Sequence, residues 1–376
     1  IGTTSVKAVA VDGEGAVLAR ARVPHDVVVT APDRLEHRPD QAWRAGVLQA
    51  LGELVAGLEA QTANGPPARI EAVNVAAMVP SLCAVDAAGA ALTPGLLYGD
   101  ARAATTGGLD PSQSGELVAF LGWCAAEAPG AAGYWPAQAV ANHALGGEAV
   151  IDTVTAMTAL PLFDLTAWDP AVAAAAGTTV DRLPRIVPGD AVAGRVADGL
   201  PAAGALLGGG TVDAFAEQLV AGADEDGDVL VICGTTLITW AVLPEWREVA
   251  GLWTVPHSAP GKTLVGGPSN AGGLFLERVV RLTGDSVGAG RQPATAAPID
   301  PRRVPVWAPY IRGERTPLHD PARRAALHDL DLTHDAAAVR RAAYEAAGFV
   351  VRHHLDLAGV SPRRVVATGG GARSAA

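Results

Sequence analysis

The stretch Ile1–Val23, "IGTTSVKAVAVDGEGAVLARARV", decides the fold, because its pattern returns at Val229–Val242 as "VLVICGTTLITWAV". "SVKAVAVD" alternates as a strand does, "DGEG" has turn residues, and "AVLARARV" returns, so the spacing predicts a β-hairpin. In both places a Gly-Thr-Thr turn sits beside a valine-rich strand. The repeat implies two lobes of similar plan, each opening on a hairpin. The acidic link "GADEDGD" (Gly222–Asp228) divides them into residues 1–222 and 223–376.

Between the hairpins, "PDQAWRAGVLQALGELVAGL" carries Val47, Leu48, Leu51, Leu54, Val55 and Leu58 at helical spacing, with Asp40 placed to help start the helix. "IEAVNVAAM" reads as a strand. The alanine-rich middle, to about Gly199, reads as mainly helical, broken by Pro and Gly. In the second lobe, a Gly-rich stretch with helical periodicity in its second half precedes a long helix, "HDAAAVRRAAYEAAGFVVRHHLDLAG". The short strand "RVVAT" and the glycine loop "TGGGARS" follow it.

Of 376 residues, 49% are hydrophobic and 5% aromatic, so Ala, Val and Leu fill two cores. A formal net charge of −11 argues against nucleic acid or an anionic membrane as the main partner. Lys7 and Lys262 are the only lysines, which leaves most cationic work to arginine. Cys83, Cys124 and Cys233 lie far apart without a Cys-x-x-Cys pair, the pattern of buried free thiols in a reducing cytoplasm. No apolar run suggests a membrane span and no leader suggests export. The chain starts within one motif and stops within another, so both ends read as truncated.

A Gly-Thr-Thr turn offers backbone N–H groups and hydroxyls in a concave cluster that suits phosphate oxygens; an ordinary tight hairpin has the same residues. In "LLGGGTVDAFAEQLVAGA", three glycines (Gly208–Gly210) precede a helix marked by Phe215, Leu219 and Val220. Asp213 then falls in the first turn. There the helix favours an ionised carboxylate, either as proton acceptor or merely as cap. "ATGGGARS" adds a loop where bare main chain admits a flat base or ribose. The P-loop and dinucleotide fingerprints both fail: "PGKT" has Pro256 where the first glycine belongs, and "GEGAVL" has Leu18 where a glycine is needed.

Taken together, these stretches resemble the FGGY family of carbohydrate kinases, within the actin-like ATPase superfamily. "IGTTSVKAVAVD" is similar to the family's first phosphate motif, and "LTPGLLYGDARA" to its sugar-side segment, with Tyr98 near the usual tryptophan. "GGGTVDAFAEQLVAGA" is similar to the catalytic-aspartate segment and "VICGTTLITWAV" to the second phosphate motif. "APYIRGERTPLHDP" and "ATGGGARS" are similar to the C-terminal signature and the adenosine motif.

The resemblance implies an α/β, two-lobed RNase H-like fold whose interlobe cleft closes over ATP and a sugar or polyol. Asp213 would take the proton from the attacking hydroxyl. Thr3, Thr4 and Lys7 would hold phosphate from one side and Gly234, Thr235 and Thr236 from the other, with Mg²⁺ between them. Gly370 and Gly371 would pass beneath the adenosine. Met78, Asp100 and Arg102 are the sugar-side candidates; for Asp100 and Arg102 the competing reading is an ion pair fixing "YGDARA". Val79 stands where many members carry a polar residue, which points away from the common pentuloses. The family's Mg²⁺-linked aspartate would immediately precede Ile1. A cytoplasmic enzyme follows, and a homodimer is an assembly found among similar proteins. Two other readings remain: a sugar-independent ATPase switch and an inactive sugar-binding relative. Glu314 and Arg315 read as a structural ion pair, Trp43 as packing, and His353–His354 as a solvated or packed pair.

Overall fold

Alternation builds the opening hairpin. Strand β1 (Ser5–Val11) pairs antiparallel with β2 (Val17–Pro24), Val6 opposite Val23 and Val9 opposite Arg20. Val6 and Val23 turn inward to the core that holds Val47 and Leu51 of α1 (Gly46–Gln61), whereas Lys7, Val9 and Val11 face solvent. The computed structural model describes residues 1–373 apart from 32–33, 62–68, 99, 101, 103–115, 190, 235, 258–260, 285–302, 312 and 321. The chain divides into two compact units, Ile1–Ala216 and Glu217–Ala376.

In the first unit, the helix begins as a π-helix over Asp40–Ala45 and continues as α1. Asp40 is itself the first helical residue, so it lends its charge to the N-terminus without capping it. Its Oδ1 accepts the Ala91 N–H instead, at 3.2 Å. A five-stranded sheet runs β3 (Val28–Ala31), β4 (Arg34–His37), β8 (Gly95–Leu97), β7 (Ser81–Val85), β9 (Gly133–Trp135). "IEAVNVAAM" forms two short strands, β5 (Ala72–Val73) and β6 (Ala76–Ala77), which pair parallel with β13 (Leu206–Gly208) and β14 (Thr211–Val212). The break between them, at Asn74, has a cause: its side chain accepts the Gly210 N–H at 2.9 Å. Strand β12 (Val192–Arg195) borders β13, and β10 (Val150–Asp152) pairs with β11 (Arg185–Val187).

The alanine-rich middle supplies α2 (Glu116–Glu127), α3 (Ala137–Gly146), α4 (Thr153–Met157) and α5 (Pro170–Ala175). One core gathers Trp43, Leu51, Met78, Leu97, Val140 and Leu145; another gathers Leu82, Phe120, Leu121, Tyr134 and Leu162. Each large apolar side chain so buried contributes roughly 1.5–3 kcal/mol. Helix α6 (Asp213–Val220) starts directly after β14; Phe215 is buried there, but Val220 is exposed.

The second unit repeats the hairpin. Strand β15 (Asp228–Cys233) pairs antiparallel with β16 (Leu237–Leu243), inside the sheet β17 (Trp253–Pro256), β18 (Thr263–Ser269), β16, β15, β21 (Arg364–Thr368), with β21 parallel to β15. The first half of the Gly-rich stretch is therefore a strand. A Cβ at Gly266 would lie 1.9 Å from Thr239 O, so glycine is required where β18 crosses β16. Helix α7 (Gly273–Leu282), the pair β19 (Val306–Ala308) and β20 (Ala326–His328), and α8 (Ala336–Ala358) complete the unit. Asp335 caps α8 by accepting the Ala338 N–H at 2.8 Å.

His353 is exposed and His354 buried, with His354 Nε2 2.9 Å from Thr316 Oγ1. Cys83 and Cys124 are buried and Cys233 is half-buried. Burial pushes the Cys124 thiol up to about 12, far from a reactive thiolate. Among the described residues, no helix is long and apolar enough to cross a membrane.

Candidate functional site

In the first unit, strand pairing brings the first Gly-Thr-Thr turn to Asp213. Ile1 N–H donates to Ala76 O, and Met78 N–H donates to Ile1 O at 3.1 Å, which sets Ile1 level with Ala77. On the other side of Ala77 lies Val212, by the β6–β14 register. Ile1 and Val212 are thus two strand spacings apart, about 9.6 Å. Gly2 and Asp213, each one residue further on, leave the same end of these strands.

Asp213 is half-buried, and its Oδ1 accepts the Ala214 N–H at 2.8 Å. Burial pushes its carboxyl above the ordinary carboxylate range, against the pull of that N–H. A carboxyl raised in this way holds a proton more tightly than a free one, which suits a proton acceptor.

The turn itself is held from below. His37 Nε2 donates to Thr3 O at 2.8 Å, and the Trp43 indole N–H donates to His37 Nδ1 at 2.9 Å. Thr3 Oγ1 lies 2.7 Å from the Tyr98 hydroxyl, and His25 N–H donates to Thr4 O at 3.0 Å. Thr4 and Lys7 are exposed, Lys7 opposite Arg22 in the hairpin. Trp43 thus packs, as its type suggests, and also orients a histidine.

The sugar-side candidates are placed differently. Met78 is buried in the core, 3% exposed, and the Val79–Pro80 bond is cis. Val79 lines a small, mainly apolar cavity of about 20 Å³ with Ser81, Leu121, Tyr134 and Thr155. Arg102 Nε donates to Asp100 Oδ1 at 2.8 Å, while its Nη2 donates to Asp100 Oδ2 and to Glu36 Oε1, both at 2.6 Å. Leu35 N–H adds a further bond to Asp100 at 2.8 Å. Burial raises the Asp100 carboxyl, but Arg102 and these N–H groups outweigh it and hold the carboxyl below the usual range. The guanidinium also sits over the Trp123 ring, 4.6 Å from its centre. Both Asp100 oxygens are therefore engaged, by Arg102 and by Leu35 of β4.

In the second unit, Gly234 and Thr236 close the turn between β15 and β16; Thr235 lies outside the described residues. Gly273 N–H, at the start of α7, donates to Gly234 O at 2.8 Å. Arg315 Nη2 donates to Thr236 Oγ1 at 3.2 Å. Glu314 is fully buried and accepts from Ser269 Oγ at 2.7 Å, from Asn270 N–H at 3.0 Å and from Arg315 N–H at 2.7 Å. So Glu314 braces the turn after β18, while the Arg315 side chain reaches the second Gly-Thr-Thr turn.

The glycine loop meets the same turn. A Cβ at Gly371 would lie 2.8 Å from Cys233 Cβ, and one at Gly369 2.8 Å from Cys233 O, so the loop lies flush against the end of β15. Gly370 opens onto free space. Gly234, Thr236, Gly370 and Gly371 form one neighbourhood in this unit.

Sequence reasoning missed the supporting residues: Glu36, His37, Asn74, Gln138 and Asn142. Their types carry no motif; only the topology brings them to the turns.

Comparison with known proteins gives two family matches. The N-terminal domain of the FGGY family of carbohydrate kinases matches residues 1–108, and its C-terminal domain matches residues 229–376. The xylulose kinase of Escherichia coli (strain K12) is 25% identical over 219 residues, covering 55% of this chain and 45% of that protein. The gluconokinase of Bacillus subtilis (strain 168) is 24% identical over 430 residues, covering 100% of this chain and 79% of that protein. The chain thus spans less than half the length of the xylulose kinases in the regions that align. Among solved structures, the xylulose kinase from Rhodospirillum rubrum superposes with a TM-score of 0.82 at 25% identity, covering 99% of this chain and 82% of that one. The gluconate kinase from Lactobacillus acidophilus also gives 0.82, at 20% identity, covering 100% and 81%. The chain shares the two-domain, actin-like ATPase fold of these structures.

Proposed function

The chain belongs to the FGGY family of carbohydrate kinases, and we propose that it transfers the γ-phosphoryl group of ATP to a hydroxyl of a sugar or polyol. The observation that carries this reading is the placement of Asp213 at the start of α6, level with the first Gly-Thr-Thr turn. Asp213 accepts the hydroxyl proton as the oxygen attacks. Alignment and charge neutralisation supply most of the acceleration in such a transfer.

Thr3 and Thr4 offer hydroxyls and N–H groups to the transferred group, with Lys7 as a nearby cation. In the second unit, Gly234 and Thr236 serve the phosphates of ATP, while Gly370 and Gly371 admit the adenosine. The open space at Gly370 fits a ligand lying on the main chain. Mg²⁺, when bound, neutralises charge on the phosphate oxygens.

The relatives are a xylulose kinase and a gluconokinase by name, so the acceptor proposed is an open-chain ketose, sugar acid or polyol of similar size. The Asp100–Arg102–Glu36 cluster shapes the pocket wall in this reading. Val79, facing an apolar cavity, offers the acceptor no hydrogen bond.

The test is a coupled assay of ADP release across pentuloses, hexuloses, sugar acids and four- or five-carbon polyols. Release that depends on one acceptor class is expected. Release independent of any acceptor, or none at all, contradicts the proposal.

A further inference from the structure

Gln138 and Asn142 stand four residues apart on α3 and so share a helix face. Both are fully buried, 0% exposed. Gln138 Nε2 donates to Val75 O at 3.1 Å and to Thr211 O; Asn142 Nδ2 donates to Val150 O at 2.9 Å and to Gly209 O at 3.1 Å. Turning either amide over would set its oxygen against two carbonyl oxygens, so chemistry fixes the orientation.

That orientation leaves Gln138 Oε1 and Asn142 Oδ1 buried without a hydrogen-bond donor. A buried acceptor with no donor is destabilising, and an apolar side chain of similar length would avoid it. The fold tolerates this twice on one face, and each carboxamide reaches the same loop.

The loop is fitted closely to its neighbours. A Cβ at Gly210, where φ is +99°, would lie 2.5 Å from Gln138 Nε2 and 2.6 Å from Val75 O. One at Gly209 would meet Val187 Cγ2 at 2.4 Å, and one at Gly208 would meet Asn74 Oδ1 at 2.5 Å. Only Val212 separates the clamped Thr211 from Asp213.

We infer that Gln138 and Asn142 are positioning residues: by holding the carbonyls of Gly209 and Thr211 they fix where β14 ends and where the Asp213 carboxylate stands. The inference rests on the phosphoryl-transfer reading for what Asp213 does there.

The test uses Gln138→Met and Gln138→Glu in the full chain, with kcat, KM, melting temperature and the NMR titration of the Asp213 carboxyl. Loss of both donors in Gln138→Met lets the loop shift; kcat falls about tenfold or more with both KM values within about twofold. Its melting temperature falls only modestly, because Val75 O and Thr211 O each lose one donor while Gln138 Oε1 no longer lies unpaired. Asp213 titrates closer to the usual carboxylate range than in the native chain. In Gln138→Glu an ionised carboxylate faces two carbonyls, whereas the protonated form donates one bond. Relative to the native chain, its kcat therefore recovers as pH falls. Native kcat and native Asp213 titration in both variants would overturn the inference, as would activity losses that merely follow the melting temperature. If the native chain shows no acceptor-dependent ADP release, the phosphoryl-transfer reading fails, and the Asp213 titration in Gln138→Met still decides whether this clamp positions the acid.

Discussion

Trp43 donates its indole N–H to His37 Nδ1 at 2.9 Å, and this bond fixes which ring nitrogen faces the first Gly-Thr-Thr turn. With Nδ1 occupied as an acceptor, Nε2 carries the proton and donates to Thr3 O. Burial lowers His37 to about 4 from its ordinary 6.5, so the folded chain keeps it neutral. Between these values the unfolded chain binds more protons, so stability rises with pH across this window. The contribution is full above the unfolded value and is lost as pH falls towards about 4. Half-buried His25, lowered by desolvation, adds an effect of the same sign. Thermal melts over this range should show the slope, and His37→Gln should flatten it.

Tyr98 is 42% exposed, yet its hydroxyl meets Thr3 Oγ1. Tyr98→Phe should leave the melting temperature within about 1 °C, as expected for a surface change worth under about 0.5 kcal/mol. It should raise the KM for ATP or acceptor by up to about tenfold, since Thr3 loses its tether. Steady-state kinetics with both substrates varied would check this; unchanged KM values would mean the contact is idle.

Arg315 reaches Thr236 in the second unit, where the sequence suggested only an ion pair with Glu314. Arg315→Ala should weaken ADP binding by about tenfold, roughly 1.4 kcal/mol, by freeing the Thr236 hydroxyl. Calorimetric titration with ADP reads this directly, and unaltered affinity would reduce Arg315 to a structural role.

Gly210→Ala meets both a positive φ and a wall of atoms. The backbone strain alone costs about 1–3 kcal/mol, and the overlap adds to it. Urea unfolding should register a loss of at least about 2 kcal/mol. A smaller change would mean the loop relaxes freely.

The parts legible in the sequence were those that local periodicity writes. The two hairpins, the helix at Gly46–Gln61 and the helix at Ala336–Ala358 follow from alternation and 3.6-residue spacing. The place of Asp213 at a helix start was legible because a glycine run precedes it and helical spacing follows. Strand β18 was obscured, since Gly266 and Gly267 have poor strand propensity and are there for close approach to β16 and Thr316. "IEAVNVAAM" looked continuous because nothing local shows that Asn74 turns aside to bond Gly210. The supporting polar residues were hidden for a related reason. Gln138 and Asn142 lie on an apolar, alanine-rich helix, and their partners are main-chain groups 63 and 67 residues away in sequence, Val75 and Gly209.

The central claim is that Asp213 takes the acceptor's proton, and single-turnover phosphoryl transfer by Asp213→Ala tests it most directly. Removal of a general base should slow transfer by about 10²–10⁴-fold, with ADP affinity within about threefold of native. The native chain should lose rate on the acid side above the ordinary carboxylate value of 3.8, because burial raises this group, and the variant should lack that limb. Transfer by Asp213→Ala at close to the native rate, with the acid limb intact, would contradict the account.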